Sequence, residues 1–375
     1  MRIFMCELKK IWRPWIIIAL VLINYQFYTD QMKYAANWSE RVGFGVAEIA
    51  VLTDLTAEYG EQLSYDEWLD AHKYLAEGEQ SEYDSIAEFN PGERAVVSAE
   101  TKQRALGNLL TSLEPFYENE DYLFGEFIAI NGELLSENSY EKGLAYLQKN
   151  IPADSYMNIF PRLTINAFGG TYFPKMIMIV AISLTTLLIP LLTYDRFSRM
   201  TPLQYSSKNG RKLIKTQFAA VMASGLLVGI TLAVIYIALF LNGNKDFAPF
   251  INQKIFTVMF APRLFPAMVD ITYMQYIIIH AIFIMIFSVL TTAVVFFLSM
   301  KSKDYITLLL KAIPVIIVIS GISYAVGSDI FGMCSIVFNI FPIIGIEFYI
   351  SVILAVIGVW ICLVACKKIR GKDIF

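Results

Sequence analysis

Long apolar runs are the feature that most limits what this chain can fold into. Residues 173–194, 213–241, 274–300, 305–326 and 346–366 form five such runs. Each has about 20 residues or more, the length of α-helix that crosses the hydrocarbon core of a bilayer. The composition agrees, because 56% of the residues are hydrophobic and the mean hydropathy is +0.54, above the range of soluble domains. We therefore predict an all-α integral membrane protein.

A sixth span is predicted near the start of the chain, within residues 1–28. Residues 2–13 contain four basic residues among apolar ones, which is typical of an amphipathic segment on the inner membrane surface. The apolar run from Trp12 to Tyr28 has aromatic residues at both ends, as spans often do at the interface. A cleaved signal peptide is the alternative. No small-x-small site follows the apolar core, and this favours an uncleaved anchor.

The region between the first and second spans, residues 29–172, is strongly acidic. It has 25 acidic and 9 basic residues, a charge of −16 in a chain whose net charge is −3. Helix-start signals occur at Ser64-Tyr-Asp-Glu67 and at Asn90-Pro91, and another helical pattern covers residues 139–150. We predict a mainly helical extracytoplasmic domain. Its acidity indicates either a solvated surface, which we favour, or attraction for a cationic substrate or metal ions.

The loop between the second and third spans, residues 195–212, combines a charge bias with local structure signals. Residues 194–215 contain six basic residues and the single acid Asp195, an excess that holds a short loop in the cytoplasm. Thr201-Pro202 is typical of a helix start, with Thr as N-cap and Pro at the first helical position. Ser206-Ser207 and Asn209-Gly210 favour a turn. The sequence therefore predicts a short cytoplasmic helix between two spans.

The stretch Leu203–Lys215 resembles the first cytoplasmic loop of type-2 ATP-binding-cassette (ABC) permeases of Gram-positive bacteria. In that family an acidic residue, a Gly-Thr pair and a leucine lead into a Ser-Ser-x-x-Gly-Arg turn, and a lysine then opens the next span. Met200 stands where a glycine is usual, and Gln217 stands near the usual lysine. The matching residues are Asp195, Thr201, Leu203, Ser206, Ser207, Gly210 and Arg211.

The resemblance implies a subunit with six spans that works as a dimer with a second permease subunit, identical or paralogous, and two ATPase subunits. The loop would be the coupling helix that seats in the ATPase surface. ATP and Mg²⁺ would be bound by the partner ATPase and no cofactor by this chain, in which no Walker A pattern occurs. The implied function is export of an amphipathic substrate (an antimicrobial peptide, a lipid-like molecule or a drug) across the bacterial plasma membrane.

The apolar stretch Ile330–Ile344 is shorter than a comfortable span and contains Asn339 and Pro342. If it crossed the membrane, the basic tail Lys367–Lys372 would lie outside, against the positive-inside rule. We therefore predict a re-entrant or interfacial hairpin before the last span, with both termini cytoplasmic and residues 29–172 extracytoplasmic. Glu347, at the outer end of the last span, is expected to lie near water.

Three small residues and two ionisable residues within the spans are candidates for packing or transport. Gly225, Gly229 and Ala233 recur at intervals of four, a ridge that allows close helix approach, and packing within one subunit is favoured over a dimer contact. His280 and Lys311 are candidates for a translocation pathway, because ionisable residues within spans are often functional. A hydrogen-bonded packing role for His280 and snorkelling of Lys311 to the inner interface are the favoured alternatives.

The sequence contains no recognisable enzyme motif or metal-ligand set. His-Glu-x-x-His, Gly-x-Ser-x-Gly and paired-cysteine redox motifs do not occur, and the chain has two histidines. We predict a non-catalytic transporter subunit in the lipid bilayer, with no metal site and no nucleic-acid partner. Two other functions stay open: a membrane sensor or immunity protein whose external domain binds a ligand without transport, and an ion-coupled transporter that uses Lys311 and His280.

Overall fold

The computed structural model is mainly helical and describes residues 2–37, 43–64, 66–67, 69–71, 142, 157–158, 165–197, 210–255, 269, 271–302, 304–327 and 336–371. The α-helices within those residues are α1 (Arg2–Ile11), α2 (Pro14–Phe27), α3 (Lys33–Ala36), α4 (Gly43–Tyr59), α5 (Phe173–Phe197), α6 (Gly210–Gly243), α7 (Tyr273–Met300), α8 (Tyr305–Gly327), α9 (Ile336–Ile340) and α10 (Ile346–Gly371). The strands are β1 (Gln62–Leu63) and β2 (Met157–Asn158). Two π-helical turns, Tyr28–Met32 and Asn166–Tyr172, and a 3-10 helix, Lys245–Phe250, complete the described secondary structure.

Five of the described helices are long and apolar enough to cross a membrane. The segments are Ala167–Pro190, Leu213–Gly243, Tyr273–Met300, Tyr305–Val326 and Ile346–Lys368. Each coincides with one of the five predicted apolar runs, so the predictions of a mainly helical chain and of five helices with the length and hydropathy of membrane spans are confirmed. The first of them starts earlier than predicted, because the π-helical turn Asn166–Tyr172 leads directly into α5.

Two of the long helices begin with side-chain caps. Thr272 accepts a hydrogen bond from the backbone N–H of Gln275, and the Gln275 side chain accepts one from the backbone N–H of Thr272, which forms a capping box at the start of α7. Asp304 accepts hydrogen bonds from the backbone N–H and the hydroxyl of Thr307 at the start of α8. These caps satisfy backbone donors that would otherwise have no partner at the helix ends.

Helices α5 and α7 form the centre of the bundle. Their apolar segments are 72% and 56% buried within the protein, compared with 18% for α8 and 17% for α10. Helix α5 packs against α2, α6, α7 and α8, and α7 packs against α5, α6, α8 and α10. The outer helices α8 and α10 leave large apolar side chains such as Leu310 and Trp360 exposed, and these faces are suited to lipid.

Most of the described lysines near the long helices lie at one end of the bundle. Phe218 near the start of α6 packs on Phe296 near the end of α7, with ring centroids 4.9 Å apart. Cys362 near the end of α10 donates to the carbonyl of Ala293 on α7 at 3.1 Å. The start of α6 and the ends of α7 and α10 therefore lie together. We call this the basic end, and its described lysines include Lys215, Lys301, Lys311, Lys367 and Lys368.

The first apolar helix packs against α5 and is hydrogen-bonded to α6 near both of its ends. It is helical from Pro14 to Ala36, because α2 continues through the turn Tyr28–Met32 into α3. Trp12 donates to the Ser224 hydroxyl at 3.2 Å near one end, and Asn244 donates to the Ala36 carbonyl at 2.6 Å near the other. Its length is about 34 Å at 1.5 Å per residue, beyond the predicted end at Tyr28.

The described parts of the acidic region include a feature that the sequence did not predict. Strands β1 and β2 pair antiparallel, with Gln62 opposite Asn158 and Leu63 opposite Met157, so the two ends of the region meet. The predicted capping box begins at Ser64, directly after β1. The backbone N–H of Ser64 donates to the Glu67 carboxylate, and the backbone N–H of Glu67 donates to the Ser64 hydroxyl. Most of the helices predicted within 65–77, 91–113 and 139–150 lie outside the described residues.

The segment before the last helix is short where it is described. Helix α9 has five residues, and a turn at residues 341–345 joins it to α10. Gly345 has a φ of 73°, a left-handed conformation that glycine adopts without strain. A five-residue helix is about 7 Å long, so α9 cannot cross a bilayer.

Candidate functional site

The predicted coupling loop lies between two helices that meet the basic end. Asp195 belongs to the last turn of α5, and Gly210 and Arg211 belong to the first turn of α6. These three residues are therefore helical, although the sequence analysis placed them in the loop. Thr201, Leu203, Ser206 and Ser207, together with the predicted short helix, lie outside the described residues.

His280 is fully buried on α7 in an enclosure of aromatic side chains. Its ring lies 4.2 Å from that of Tyr276, 4.3 Å from that of Phe173 and 5.3 Å from that of Phe168, measured between centroids. The Nδ1 atom is 2.8 Å from the Tyr276 carbonyl, which can only accept, so Nδ1 carries the proton of this hydrogen bond. This geometry is that of a packed, hydrogen-bonded histidine.

One wall of the His280 enclosure is the π-helical turn Asn166–Tyr172. Gly169 in this turn lies so close to Tyr276 that a methyl group added at Gly169 would overlap the tyrosine hydroxyl. Phe168 and Tyr172, on either side of it, are both completely buried. The predicted boundary of the acidic region at residue 172 left these residues outside the bundle, whereas the structure includes them in it. The Gly169-Gly170 pair before the apolar run is the one local signal.

A chain of polar contacts joins α2, α5 and α6 inside the bundle. Asn24 on α2 donates to the Ser183 hydroxyl on α5 at 2.9 Å. Tyr236 on α6 donates to the Asn24 side-chain oxygen at 2.9 Å, and Tyr172 donates to the Tyr236 carbonyl at 2.8 Å. Polar side chains within a membrane bundle hold helices together through such bonds. Asn24 therefore fixes the first apolar helix to two of the five long helices.

Lys311 and His280 are not brought together. The Lys311 ammonium donates to the carbonyl of Lys301 at 3.0 Å, at the end of α7. His280 lies near the other end of the same helix, about 30 Å away at 1.5 Å per residue. A cation close to helix-terminal carbonyls is favourable because the carboxyl end of a helix carries partial negative charge. The structure gives no support to a proton relay made directly between these two residues.

The ridge of small residues on α6 faces α7 of the same chain. A side chain at Gly225 would overlap Thr292, and one at Gly229 would overlap Ser288. Ala233, one turn further along, is also buried. These glycines let the backbone of α6 approach the hydroxyl-bearing face of α7, where the Ser288 hydroxyl donates to the carbonyl of Ile284 at 2.7 Å.

Two carboxylates in the described part of the chain are almost completely buried. Glu347, expected near water, is 1% exposed at the start of α10. Its position in the first turn is favourable for negative charge, because the amino end of a helix carries partial positive charge. Glu7 on α1 is 3% exposed and forms an ion pair with Lys10 at 2.8 Å. Within the described part of the chain, no group of three or more histidine, cysteine or acidic side chains is placed to hold a metal ion.

Asp304 is the capping residue whose titration has a clear physical cause. The hydrogen bonds from the backbone and hydroxyl of Thr307 lower the pKa of this carboxyl from its ordinary value, and the nearby Lys311 ammonium acts in the same direction. The cap is therefore strongest when Asp304 is ionised. The carboxylate also lies next to the turn that joins α7 to α8 at the basic end.

Comparisons of the chain with protein-family models, with curated proteins and with solved structures found no match. The features available for a functional assignment are therefore the chain's own motifs, charges and contacts.

Proposed function

We propose that this chain is the membrane-spanning permease subunit of an ABC exporter, which couples ATP hydrolysis by a separate ATPase subunit to export of an amphipathic substrate. The observation that carries the proposal is the connection 198–209 between α5 and α6. It joins two span-length helices at the basic end, and the sequence around it has the Ser-Ser-x-x-Gly-Arg pattern. The partners are an ABC ATPase dimer, which binds ATP and Mg²⁺, and a second permease subunit.

In the proposed topology the chain has six spans in the bacterial plasma membrane. The first is the continuous helix from Pro14 to Ala36, which is long enough to cross a hydrocarbon core of about 30 Å. The basic end faces the cytoplasm, because lysines and arginines accumulate on that side of membrane proteins. The part of the acidic region between the first two spans, residues 37–166, is then extracytoplasmic, and α9 with its turn belongs to a re-entrant or interfacial hairpin.

The packing suggests how movement of the loop would reach the rest of the bundle. The loop is attached directly to α5, which packs against α2, α6, α7 and α8. A displacement of α5 therefore acts on most of the subunit at once, including the Asn24 contacts and the π-helical turn beside His280. Transport of this kind needs a bundle with two arrangements and a mechanical input rather than a catalytic residue in this chain.

The direct test disrupts the loop and measures assembly. The double variant Leu203→Pro, Arg211→Glu is expected to lose co-purification with the ABC ATPase and to lose stimulation of its activity. The control is Lys245→Glu, a charge reversal beyond the opposite end of α6, where the side chain is exposed. The control is expected to keep both properties, and assembly and stimulation that survive the double variant would contradict the coupling assignment.

The acidity of residues 29–172 favours one other function. A charge of −16 in that region suits a membrane sensor or immunity protein that binds a cationic ligand outside the cell without transporting it. Reconstituted vesicles separate the two functions. An exporter moves substrate in an ATP-dependent manner when the ATPase is present, whereas a sensor binds ligand without moving it.

A further inference from the structure

An apolar cleft opens on the side of the bundle between α6 and α10. It has a volume of about 500 Å³ and is floored by Met285 and Val289 of α7. Leu226 of α6 forms one side, and Ala355 and Trp360 of α10 form the other. Trp360 is 62% exposed although it lies within the apolar segment of its helix. The cleft is therefore an apolar surface that is poorly suited to contact with water.

The two helices that border the cleft each continue into a lysine at the basic end. On α10 the cleft residues Val352, Val356 and Trp360 are four apart, and Lys367 follows seven residues after Trp360, so it lies on the same face. On α6, Lys215 precedes Leu226 by eleven residues, or three helical turns. Both lysines are exposed.

The lysines of the two helices lie at the same end of the cleft. Phe218, three residues after Lys215, packs on Phe296 of α7, and Cys362, five residues before Lys367, donates to the carbonyl of Ala293 on the same helix. Two positive charges, one from each wall, are thus available where the cleft meets the membrane surface. The other described lysine of this helix end, Lys368, is one residue further on and points about 100° away around the helix.

The length of the cleft matches the hydrocarbon thickness of one leaflet. Along α10 the residues that line the cleft run from Leu363 to Val352. Leu363 lies four residues before Lys367, about 6 Å, and Val352 lies fifteen residues before it, about 22 Å. One leaflet contributes about 15 Å of hydrocarbon, half of the bilayer core. An apolar cleft of about this length, bordered by two helices that each continue into a lysine, suits a flexible acyl chain below an anionic head group.

We propose that this cleft binds a phospholipid with an anionic head group, taken from the leaflet at the basic end. One acyl chain lies along Leu226, Val289 and Trp360, and the head-group phosphate lies between Lys215 and Lys367. The proposal depends on the membrane-spanning helices alone and is independent of the proposed transport function.

Trp360 provides the measurement, because it lies in the proposed site and fluoresces. The full-length chain carrying Trp12→Phe, Trp15→Phe, Trp38→Phe and Trp68→Phe keeps this one tryptophan. It is placed in phosphatidylcholine nanodiscs that contain a small fixed fraction of lipid brominated in its acyl chains, either phosphatidylglycerol or phosphatidylcholine. Bromine quenches tryptophan on contact. Brominated phosphatidylglycerol is expected to quench Trp360 at a lower fraction, with about a fivefold preference from each lysine.

Charge variants test the phosphate position. Lys215→Gln and Lys367→Gln are each expected to lower the preference about fivefold, and Lys368→Gln is the matched control expected to keep it. Ala355→Phe, which fills the cleft, is expected to reduce quenching by both lipids, and Ala355→Leu serves if the larger side chain prevents folding. Equal quenching by the two lipids, or an unchanged preference in Lys215→Gln and Lys367→Gln, overturns the proposal. Absence of quenching by either lipid also overturns it, since another protein chain would then cover the cleft.

Discussion

Helices α5 and α10 are both long enough to span a membrane, yet they occupy opposite environments. Helix α5 is the less apolar of the two and lies in the centre, where Ser183 and Thr185 are buried against protein. Helix α10 is more apolar and lies at the edge, where Val356 and Trp360 are exposed. An apolar side chain has about the same free energy in lipid as in the protein interior, but a polar side chain needs hydrogen-bond partners in the protein. The polar residues, rather than the apolar ones, therefore mark the central helix.

Substitutions of glycine test the difference between packed and peripheral helices most strongly. Gly225→Val places a branched side chain against Thr292, and we expect a loss of about 3 kcal/mol in the free energy of unfolding, because overpacking forces the backbones apart. The matched change Gly321→Val on the peripheral helix α8 meets no atom within 4 Å, and its effect is expected to be negligible. Unfolding by SDS in mixed micelles measures both. Equal losses would mean that α6 and α7 are not packed as described.

A cavity in the centre is expected to have the next largest effect. Leu184→Ala on α5 removes a fully buried side chain and is expected to cost about 2 kcal/mol. This loss is near the lower end of the range for buried leucines in soluble proteins. In the unfolded state of a membrane protein the side chain stays in lipid, so only the cavity contributes to the loss. Leu310→Ala on α8, where the side chain is 64% exposed, is the control and should leave the same unfolding transition unchanged. A larger loss at Leu310 would place a protein partner on α8.

The polar contacts of the first helix are expected to contribute less. Asn24→Leu removes the hydrogen bonds to Ser183 and from Tyr236, and we expect a loss of about 1 kcal/mol, the usual range for polar contacts between membrane helices. Gln26→Leu on the same helix removes only an exposed hydrogen bond to Asp30 and is the control. A gain in stability for Asn24→Leu would show that the apolar side chain is preferred there.

The smallest expected effect is the pH dependence of the α8 cap. The pKa of Asp304 is lowered in the folded protein, so the cap stabilises the fold above the ordinary carboxyl pKa and is lost as pH falls through the lowered folded value. Asp304→Ala is therefore expected to be less stable than the unchanged chain at neutral pH, and the difference should disappear in acid. Asp304→Ser keeps an N-cap without a titrating group. Its stability relative to Asp304→Ala should not vary over that pH range.

Sequence patterns located the long helices, but their side-chain environments depended on distant residues. The apolar runs predicted all five long helices within a few residues, except where the π-helical turn Asn166–Tyr172 lengthened α5. The burial of Glu347 and the aromatic enclosure of His280 were not predicted. Both depend on which helices lie beside them, and hydropathy contains no information about neighbours. The pairing of β1 with β2 was missed because two-residue strands have no periodic pattern.

The amino-acid sequence by itself determined that this chain has several helices long and apolar enough to cross a membrane and that its acidic and basic residues separate along the chain. Length and hydropathy are sufficient for the first, and a count of charges is sufficient for the second. Only the tertiary structure decided that α5 and α7 are central, that Asn24 joins α2 to α5 and α6, and that Leu226 and Trp360 border one cleft. Contacts between helices depend on shape and hydrogen-bond geometry across residues far apart in sequence, and lipid accepts any apolar face that protein does not cover.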